Sequence, residues 1–311
     1  MRLLVTGASG FIGRNFLIAS DPSWRIDAVY RSASDFTAFL VDTGLWHVSA
    51  HRCDLSDAAQ VGDLTEALPE HFDVILYLAA NSDPAASSVD PIADSMSGPV
   101  ALVTLLSAVR CDRLLYFSSG AIYEGLHGEV GPQMPVAPSL PYAISKLACE
   151  GYVRWFRDIG RVGEYVILRF FAAFGPHEAP RRICTRLVRW AFGGAVEPFK
   201  IRGDGRNLVD SMYVGDAVRG INKVIASDIS NEVVDFATGT PLTVNELVER
   251  AACVLDVQSP AIRHTGEVLE YQEFVASSRK MKQLFDFTPE VPLEEGLLEL
   301  RKHLAAIEAI R

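Results

Sequence analysis

Tyr142 and Lys146 stand four positions apart in the run Tyr142-Ala143-Ile144-Ser145-Lys146, at the head of a segment with helical periodicity through Leu147, Glu150 and Val153. On a helix that spacing puts both side chains on one face. An ammonium held beside a phenol favours the phenolate, so such a tyrosine can exchange a proton with a hydroxyl or carbonyl under mild conditions. Tyr142 is therefore a candidate general acid/base, with Lys146 as its partner. A second hydroxyl comes from Ser118-Ser119-Gly120-Ala121, directly after the apolar run Leu114-Leu115-Tyr116-Phe117. Open α/β sheets place their chemistry at the C-terminal ends of strands, which makes Ser119 the candidate donor to a substrate oxygen. Neither serine lies in a GxSxG elbow, and no Ser-His-Asp arrangement is suggested.

These groups need a scaffold, and the N-terminus supplies its first unit. Arg2-Leu3-Leu4-Val5-Thr6 is a short apolar run, followed by Gly7-Ala8-Ser9-Gly10-Phe11-Ile12-Gly13 and a helical pattern through Phe16, Leu17 and Ile18. This is a strand, a glycine turn and a helix N-terminus. Gly7 permits the turn, Gly10 lets backbone amides approach a pyrophosphate, and Gly13 lets the helix pack on the strand. Gly7, Gly10, Phe11, Ile12 and Gly13 are thus expected to hold a dinucleotide. A second strand, Ile26 to Tyr30, ends where the adenosine ribose of such a ligand lies. There Arg31 and Ser32 stand where NAD-specific folds carry an acidic residue. Arg31, helped by Arg14, suits a 2′-phosphate and favours NADP, while Asp35 leaves NAD open.

The alternation continues with a short strand before Asp54-Leu55 and an apolar run from Val74 to Ala80, which reads as buried on both faces. A helix from Val100 to Val109 and a strand from Arg113 to Ser118 follow, and Val166 to Phe171 returns as a further strand. Strands separated by helical patterns imply right-handed βαβ crossovers and a doubly wound parallel α/β sheet of Rossmann type. The expected division is an NAD(P)-binding domain over 1–174 and a smaller α/β substrate lobe over 175–311, with some segments returning to the large sheet. Helices are expected at Ile183 to Phe192, Thr243 to Leu255 and Leu293 to Ile310.

With 311 residues, 49% of them hydrophobic and 22% charged, the chain can bury a sizeable core. No apolar run approaches the roughly 18 residues of a membrane span, and Met1-Arg2 leads straight into a strand with no small-residue cleavage site. A cytoplasmic protein is expected. Five scattered cysteines show no CxxC or CxH pattern, which argues against zinc or disulfides and for buried small hydrophobes. A net charge of −10 disfavours nucleic acid as a partner.

The ordered set GASGFIG, Leu78-Ala79-Ala80, SSGAIY, YAISK and LRFFAAFGP resembles the extended short-chain dehydrogenase/reductase family, the NAD-dependent epimerase/dehydratase group acting on nucleotide-activated sugars. The resemblance runs on through Arg202-Gly203-Asp204-Gly205, Asp210, Phe236-Ala237-Thr238-Gly239 and Phe287-Thr288-Pro289. It implies that Asp54 and Leu55 lie at the adenine, that Leu78, Ala79 and Ala80 line the cofactor, and that Ser119, Tyr142 and Lys146 form the catalytic set. Lys146 would also bind the nicotinamide ribose. Helix pairs near Tyr142 form a four-helix dimer interface in relatives, so a homodimer is expected.

Departures from the family pattern narrow the reaction. The 4,6-dehydratases carry an Asp-Glu pair after the catalytic hydroxyl. Here those positions read Gly120-Ala121, with Glu124 and Glu129 as imperfect stand-ins. An asparagine is replaced by Ala172, an Arg-Asp pair by Val209-Asp210, and an arginine near Glu270 is missing. Asn81, Arg181, Arg206 and Asp210 are carried as substrate-binding candidates, with Arg182, Arg186 and Arg263 as further cations. The expected activity is NADP-dependent reduction of a 4-keto sugar nucleotide. The alternative is a nucleotide-sugar epimerase that keeps its NAD, followed by a dehydratase or a non-catalytic cofactor-binding protein.

Overall fold

The computed structural model describes residues 1–258, 260–266 and 273–310; Glu270 lies outside the described residues. The chain divides into two compact units, Met1–Glu124 with Pro132–Phe170 and Ile221–Asp235, and Gly125–Gly131 with Phe171–Gly220 and Phe236–Arg311. The first unit is built on strands β1 (Arg2–Thr6), β2 (Arg25–Tyr30), β3 (Val48–Arg52), β4 (His71–Tyr77), β5 (Arg110–Ser119), β7 (Val162–Phe170) and β12 (Glu232–Phe236). They form one seven-stranded sheet in the order β12-β7-β5-β4-β1-β2-β3. The pairs β1–β2, β1–β4, β2–β3, β4–β5 and β5–β7 are parallel. From β1 the chain first builds outward through β2 and β3, then crosses back to β4 on the other side. The C-terminal ends of β1 and β4 are therefore a topological switch point, where open α/β sheets receive ligands.

The central strands are apolar along their length because both faces are covered. Leu3, Leu4, Val5, Leu76 and Leu115 are fully buried. On one face, helices α3 (Ala58–Ala67), α6 (Ala101–Ala108) and α7 (Pro141–Asp158) bring Val61, Leu64, Leu102, Leu105, Cys149, Val153 and Phe156 onto Phe72, Ile75, Tyr116 and Ile167. Each such side chain contributes roughly 1.5–3 kcal/mol of hydrophobic burial. The remaining helices of this unit are α1 (Phe11–Ile18), α2 (Phe36–Asp42), α4 (Pro84–Val89) and α5 (Pro91–Ser95). Between α5 and α6 a π-helical turn, Met96–Val100, carries Pro99, which has no N–H to donate to the helical ladder.

Strand β12 comes from far along the chain, and long-range bonds hold its segment down. Arg113 of β5 is buried and donates to the carbonyls of Ser227 and Ile229. The division of the chain is thus interleaved: Gly125–Gly131 belongs to the second unit and Ile221–Asp235 to the first.

Among the described residues the second unit holds four two-stranded ladders. They pair β6 (His127–Val130) with β15 (Glu273–Ala276), β8 (Ala173–Phe174) with β11 (Met212–Tyr213), β9 (Phe199–Arg202) with β14 (Ile262–Thr265), and β10 (Leu208–Val209) with β13 (Leu242–Thr243). Helices α8 (Ile183–Phe192), α10 (Val244–Val254) and α12 (Leu293–Ile310) meet around Leu187, Val188, Leu247, Val248, Leu297 and Leu300. Helix α9 (Val214–Ile225) leads from this unit back to β12, and α11 is Arg279–Phe285. Helix α10 starts as the sequence Thr-Val-Asn-Glu dictates: Thr243 and Glu246 cap each other's backbone amides.

Candidate active site

The glycine turn joins the end of β1 to α1 at the switch point. Gly7 has φ +65°, and a Cβ there would lie 2.9 Å from the backbone nitrogen of Ala79. A Cβ on Gly13 would lie 2.5 Å from the carbonyl oxygen of Ala8, so α1 sits against the turn only because that residue has no side chain. Thr6 is fully buried, and its Oγ1 accepts from the amides of Leu78, at 3.2 Å, and Ala79, at 3.1 Å. It binds the β1 end to the segment after β4, which the sequence reading did not single out. Helix α1 begins at Gly10 with no side-chain cap, leaving its first amides for an anion. A turn that a Cβ would fill, opening on uncapped amides, fits a dinucleotide pyrophosphate. Leu78, Ala79 and Ala80 lie just past β4, which stops at Tyr77, earlier than the apolar run suggests.

At the ribose end the basic groups are not equivalent. Arg14 is buried; its Nε donates to the Ser9 carbonyl at 2.9 Å and its Nη2 to Asp35 Oδ1 at 2.8 Å, while its guanidinium packs on the rings of Phe36 and Phe39. Arg14 thus holds Asp35 through an ion pair. Arg31 and Ser32 are exposed. The Asp54 carboxyl is held below the usual range, chiefly by the Ser56 hydroxyl, with Arg31 adding to the effect. Leu55 is buried beside it.

The catalytic candidates come from β5 and α7. Ser119 ends β5 and is buried; its Oγ accepts from the amide of Ala121 at 3.1 Å, starting a 3-10 turn over Gly120–Tyr123 and leaving the hydroxyl proton to donate. Helix α7 opens at Pro141, with Tyr142 in its first turn. The backbone amide of Tyr142 donates to the buried Ser87 Oγ at 3.1 Å. Lys146 is buried, donates to the Phe117 carbonyl at 2.7 Å, and stands 5.9 Å from the ring centroid of Tyr142 and 5.3 Å from that of Tyr116. One of its three N–H donors is spent on the strand and two remain for ligand. The helix lies against the 3-10 turn that Ser119 starts. One site on one unit therefore carries a hydroxyl donor, a phenol and an ammonium.

A profile of the NAD dependent epimerase/dehydratase family matches residues 3–236. The chain belongs to that family. Its large parallel sheet and glycine turn are those of NAD-dependent nucleotide-sugar enzymes, and NAD, which the sequence left open beside NADP, is the cofactor of the family. A dTDP-glucose 4,6-dehydratase of Xanthomonas campestris pv. campestris (strain B100) is 26% identical over 326 residues, covering 94% of this chain and 90% of the relative. The solved structure of UDP-N-acetylglucosamine 4-epimerase from Methanobrevibacter ruminantium M1, in complex with UDP-N-acetylmuramic acid, superposes with a TM-score of 0.85 at 25% identity and covers 98% of each chain. MoeE5 in complex with UDP-glucuronic acid and NAD gives a TM-score of 0.85 at 26% identity, over 99% of this chain and 100% of that one.

Several side chains singled out from the sequence of this family member are occupied elsewhere. Asn81 donates to the Asp83 carbonyl and to Asp94 Oδ1 and accepts from the Asp83 amide, so it shapes the entry to α4. Asp210 is buried and accepts from the Thr238 amide and hydroxyl and the Gly239 amide, which makes it the anchor of that turn. Glu124 accepts from the Ser139 amide and hydroxyl and the Leu140 amide; Glu129 pairs with Arg279. Arg181, Arg182, Arg186 and Arg263 are exposed on the second unit, as is Arg206, which pairs with Asp204 at 3.4 Å. Cys53, Cys111, Cys149 and Cys184 are buried as expected, but Cys253 is exposed. Among the described residues no cluster of three or more metal-ligating side chains occurs, and no helix is long and apolar enough to cross a membrane.

Proposed function

We propose that the protein is a nucleotide-sugar 4-epimerase that retains its NAD. One observation carries this reading: Ser119, Tyr142 and Lys146 are all in place, while the two positions after Ser119 are Gly120 and Ala121 and Glu124 is tied to Ser139 and Leu140. A dehydratase needs a carboxylate acid and base there; an epimerase does not. Gly7, Gly10, Phe11, Ile12 and Gly13 would hold the pyrophosphate, Asp54 and Leu55 the adenine, Leu78, Ala79 and Ala80 the wall, and Lys146 the nicotinamide ribose. When bound, NAD supplies hydride acceptance and return at a sugar carbon. Tyr142 takes the proton of the substrate hydroxyl on its phenol oxygen and gives it back. Ser119 donates its hydroxyl proton to the same substrate oxygen and holds it in line with the phenol. Lys146, fixed to the Phe117 carbonyl, keeps a positive charge beside the phenol throughout. Arg181 and Arg206 are the proposed cations for the substrate diphosphate, with Arg186 and Arg263 in reserve.

A second reading, reduction of a 4-keto sugar nucleotide with exchangeable NADPH, is favoured by the exposed Arg31 at the ribose position. The two separate on a single preparation. The protein is purified without added nucleotide and denatured, and the released nicotinamide nucleotide is identified by mass. The native protein is then incubated with UDP-glucuronic acid, UDP-N-acetylglucosamine and dTDP-glucose, and the products are resolved by NMR. Stoichiometric NAD with a C4 epimer supports the epimerase. An empty site that prefers NADPH to NADH, with no epimer formed, sinks it in favour of the reductase. The proposal includes a cytoplasmic enzyme, in keeping with unpaired cysteines. It also includes a homodimer, since α4, α5, the π turn and α7 expose Val89, Ile92, Met96, Ile144 and Trp155.

A further inference from the structure

Two fully buried charges lie directly behind the catalytic set. Glu150 is 0% exposed and Arg169 is 3% exposed. Arg169 grips Glu150 with Nε to Oε1 at 2.9 Å and Nη2 to Oε2 at 3.0 Å. A buried pair of this kind is weak evidence for stability, because desolvation offsets the attraction and a well-packed apolar pair is often no worse. Its placement suggests another use. Glu150 follows Lys146 by one turn of α7, and Glu150 Oε1 also accepts from Ser118 Oγ at 2.8 Å. In the sheet, Ser118 is in register with Arg169 and Ser119 with Phe170. The remaining arm of Arg169, Nη1, donates to the Tyr123 hydroxyl at 3.0 Å, and that hydroxyl donates to Asp235 Oδ1 at 2.6 Å. Tyr123 closes the 3-10 turn that Ser119 opens. Ser119 is thus bracketed by two residues, Ser118 and Tyr123, that answer to one ion pair, and that pair is mounted on the helix carrying Tyr142 and Lys146.

We propose that Glu150 and Arg169 are positioning residues that set the Ser119 hydroxyl against the Tyr142–Lys146 pair. The proposal rests on reading those three as the catalytic set. Its test replaces both charges at once, E150L with R169M, so that neither partner of the pair is left buried without the other, and adds Ser118→Ala, which removes only the link from the pair to β5. The NAD-loaded proteins are compared for melting temperature, nucleotide retention, kcat and KM on the nucleotide sugar turned over in the panel above, and backbone amide exchange. The expected result is a melting temperature and NAD content close to the unaltered protein's, a kcat lower by about 10- to 100-fold, and a KM within about 2-fold, the signature of a misplaced catalytic group. Exchange quickens in peptides spanning 117–123 and 140–148 and nowhere else, a readout that needs no substrate. Unchanged kcat, or unchanged exchange in both peptides, overturns the proposal. If E150L/R169M fails to fold, the pair is structural and the proposal falls unless Ser118→Ala gives the kcat loss on its own. Tyr142→Phe measured alongside keeps the two ideas apart: full turnover there removes the catalytic reading itself, whereas a dead Tyr142→Phe beside a fully active Ser118→Ala removes only the positioning role.

Discussion

The proposed function gives Tyr142 a proton to move, and removing its hydroxyl isolates that step from everything else the residue does. Tyr142→Phe keeps the ring and the Ser87 bond to its backbone amide, so the NAD content of the purified protein should be unchanged while turnover falls by about 10²- to 10⁴-fold. Gly7→Ala should act earlier: with φ +65° and the Ala79 nitrogen 2.9 Å from the new methyl, it should release NAD and lower the melting temperature. A third residue carries a pH dependence. Burial pushes the Glu178 carboxyl up to about 7, although it accepts from the Thr185 amide and hydroxyl. A carboxyl that binds its proton more tightly when folded contributes stability that is fully present below its unfolded value of 4.5 and is lost as the pH rises through about 7. That contribution has a ceiling of about 3 kcal/mol. Glu178→Gln should therefore melt relatively higher at pH 8 than at pH 5 when compared with the unaltered protein by thermal scans at both values.

At the scale of elements, the bonds before α7 decide how that helix begins. Glu124 satisfies the amides of Ser139 and Leu140, so Glu124→Ala should cost about 1–2 kcal/mol in urea unfolding by leaving two donors without their partner. What the sequence disclosed about these elements was what is local. The glycine turn, the Tyr-Lys spacing and helix α8 over Ile183–Phe192 are written in neighbouring residues, and they stand where expected. What escaped was the choice of distant partners. Nothing near Arg14 says that it will clamp Asp35, and nothing near Asn81 or Asp210 says that their polar groups will be consumed by adjoining turns. Thr6, Ser87, Glu150 and Arg169 escaped for the same reason, since a polar residue in an apolar run announces burial without naming what satisfies it. The π turn at Met96–Val100 had one visible signal, Pro99 inside a helical pattern.

For the molecule as a whole, the exposed apolar stripe on α7 and its neighbours predicts association. Trp155 is 51% exposed and Ile92 76% exposed. Trp155→Glu combined with Ile92→Asp should convert a dimer to a monomer in sedimentation experiments without loss of helix content; a monomeric unaltered protein would remove the interface. The interleaved division makes a further prediction. A fragment ending at residue 174 contains the glycine turn with Ser119, Tyr142 and Lys146, yet it should fail to give a cooperative melt, because Arg113 and Tyr123 lose the partners that come with Ser227, Ile229 and Asp235.

The bond from Tyr123 to Asp235 spans 112 positions of sequence. At translation speeds of about 5–20 residues per second, the segment bearing Asp235 leaves the ribosome on the order of 6 to 20 seconds after the tyrosine it secures. Throughout that interval a nascent chain holds Ser119, Tyr142 and Lys146 on a sheet whose edge at β7 is unclosed. The first unit is thus not closed until synthesis has passed through Phe171–Gly220, which belongs to the second, and that delay is the window in which a chaperone has most to protect.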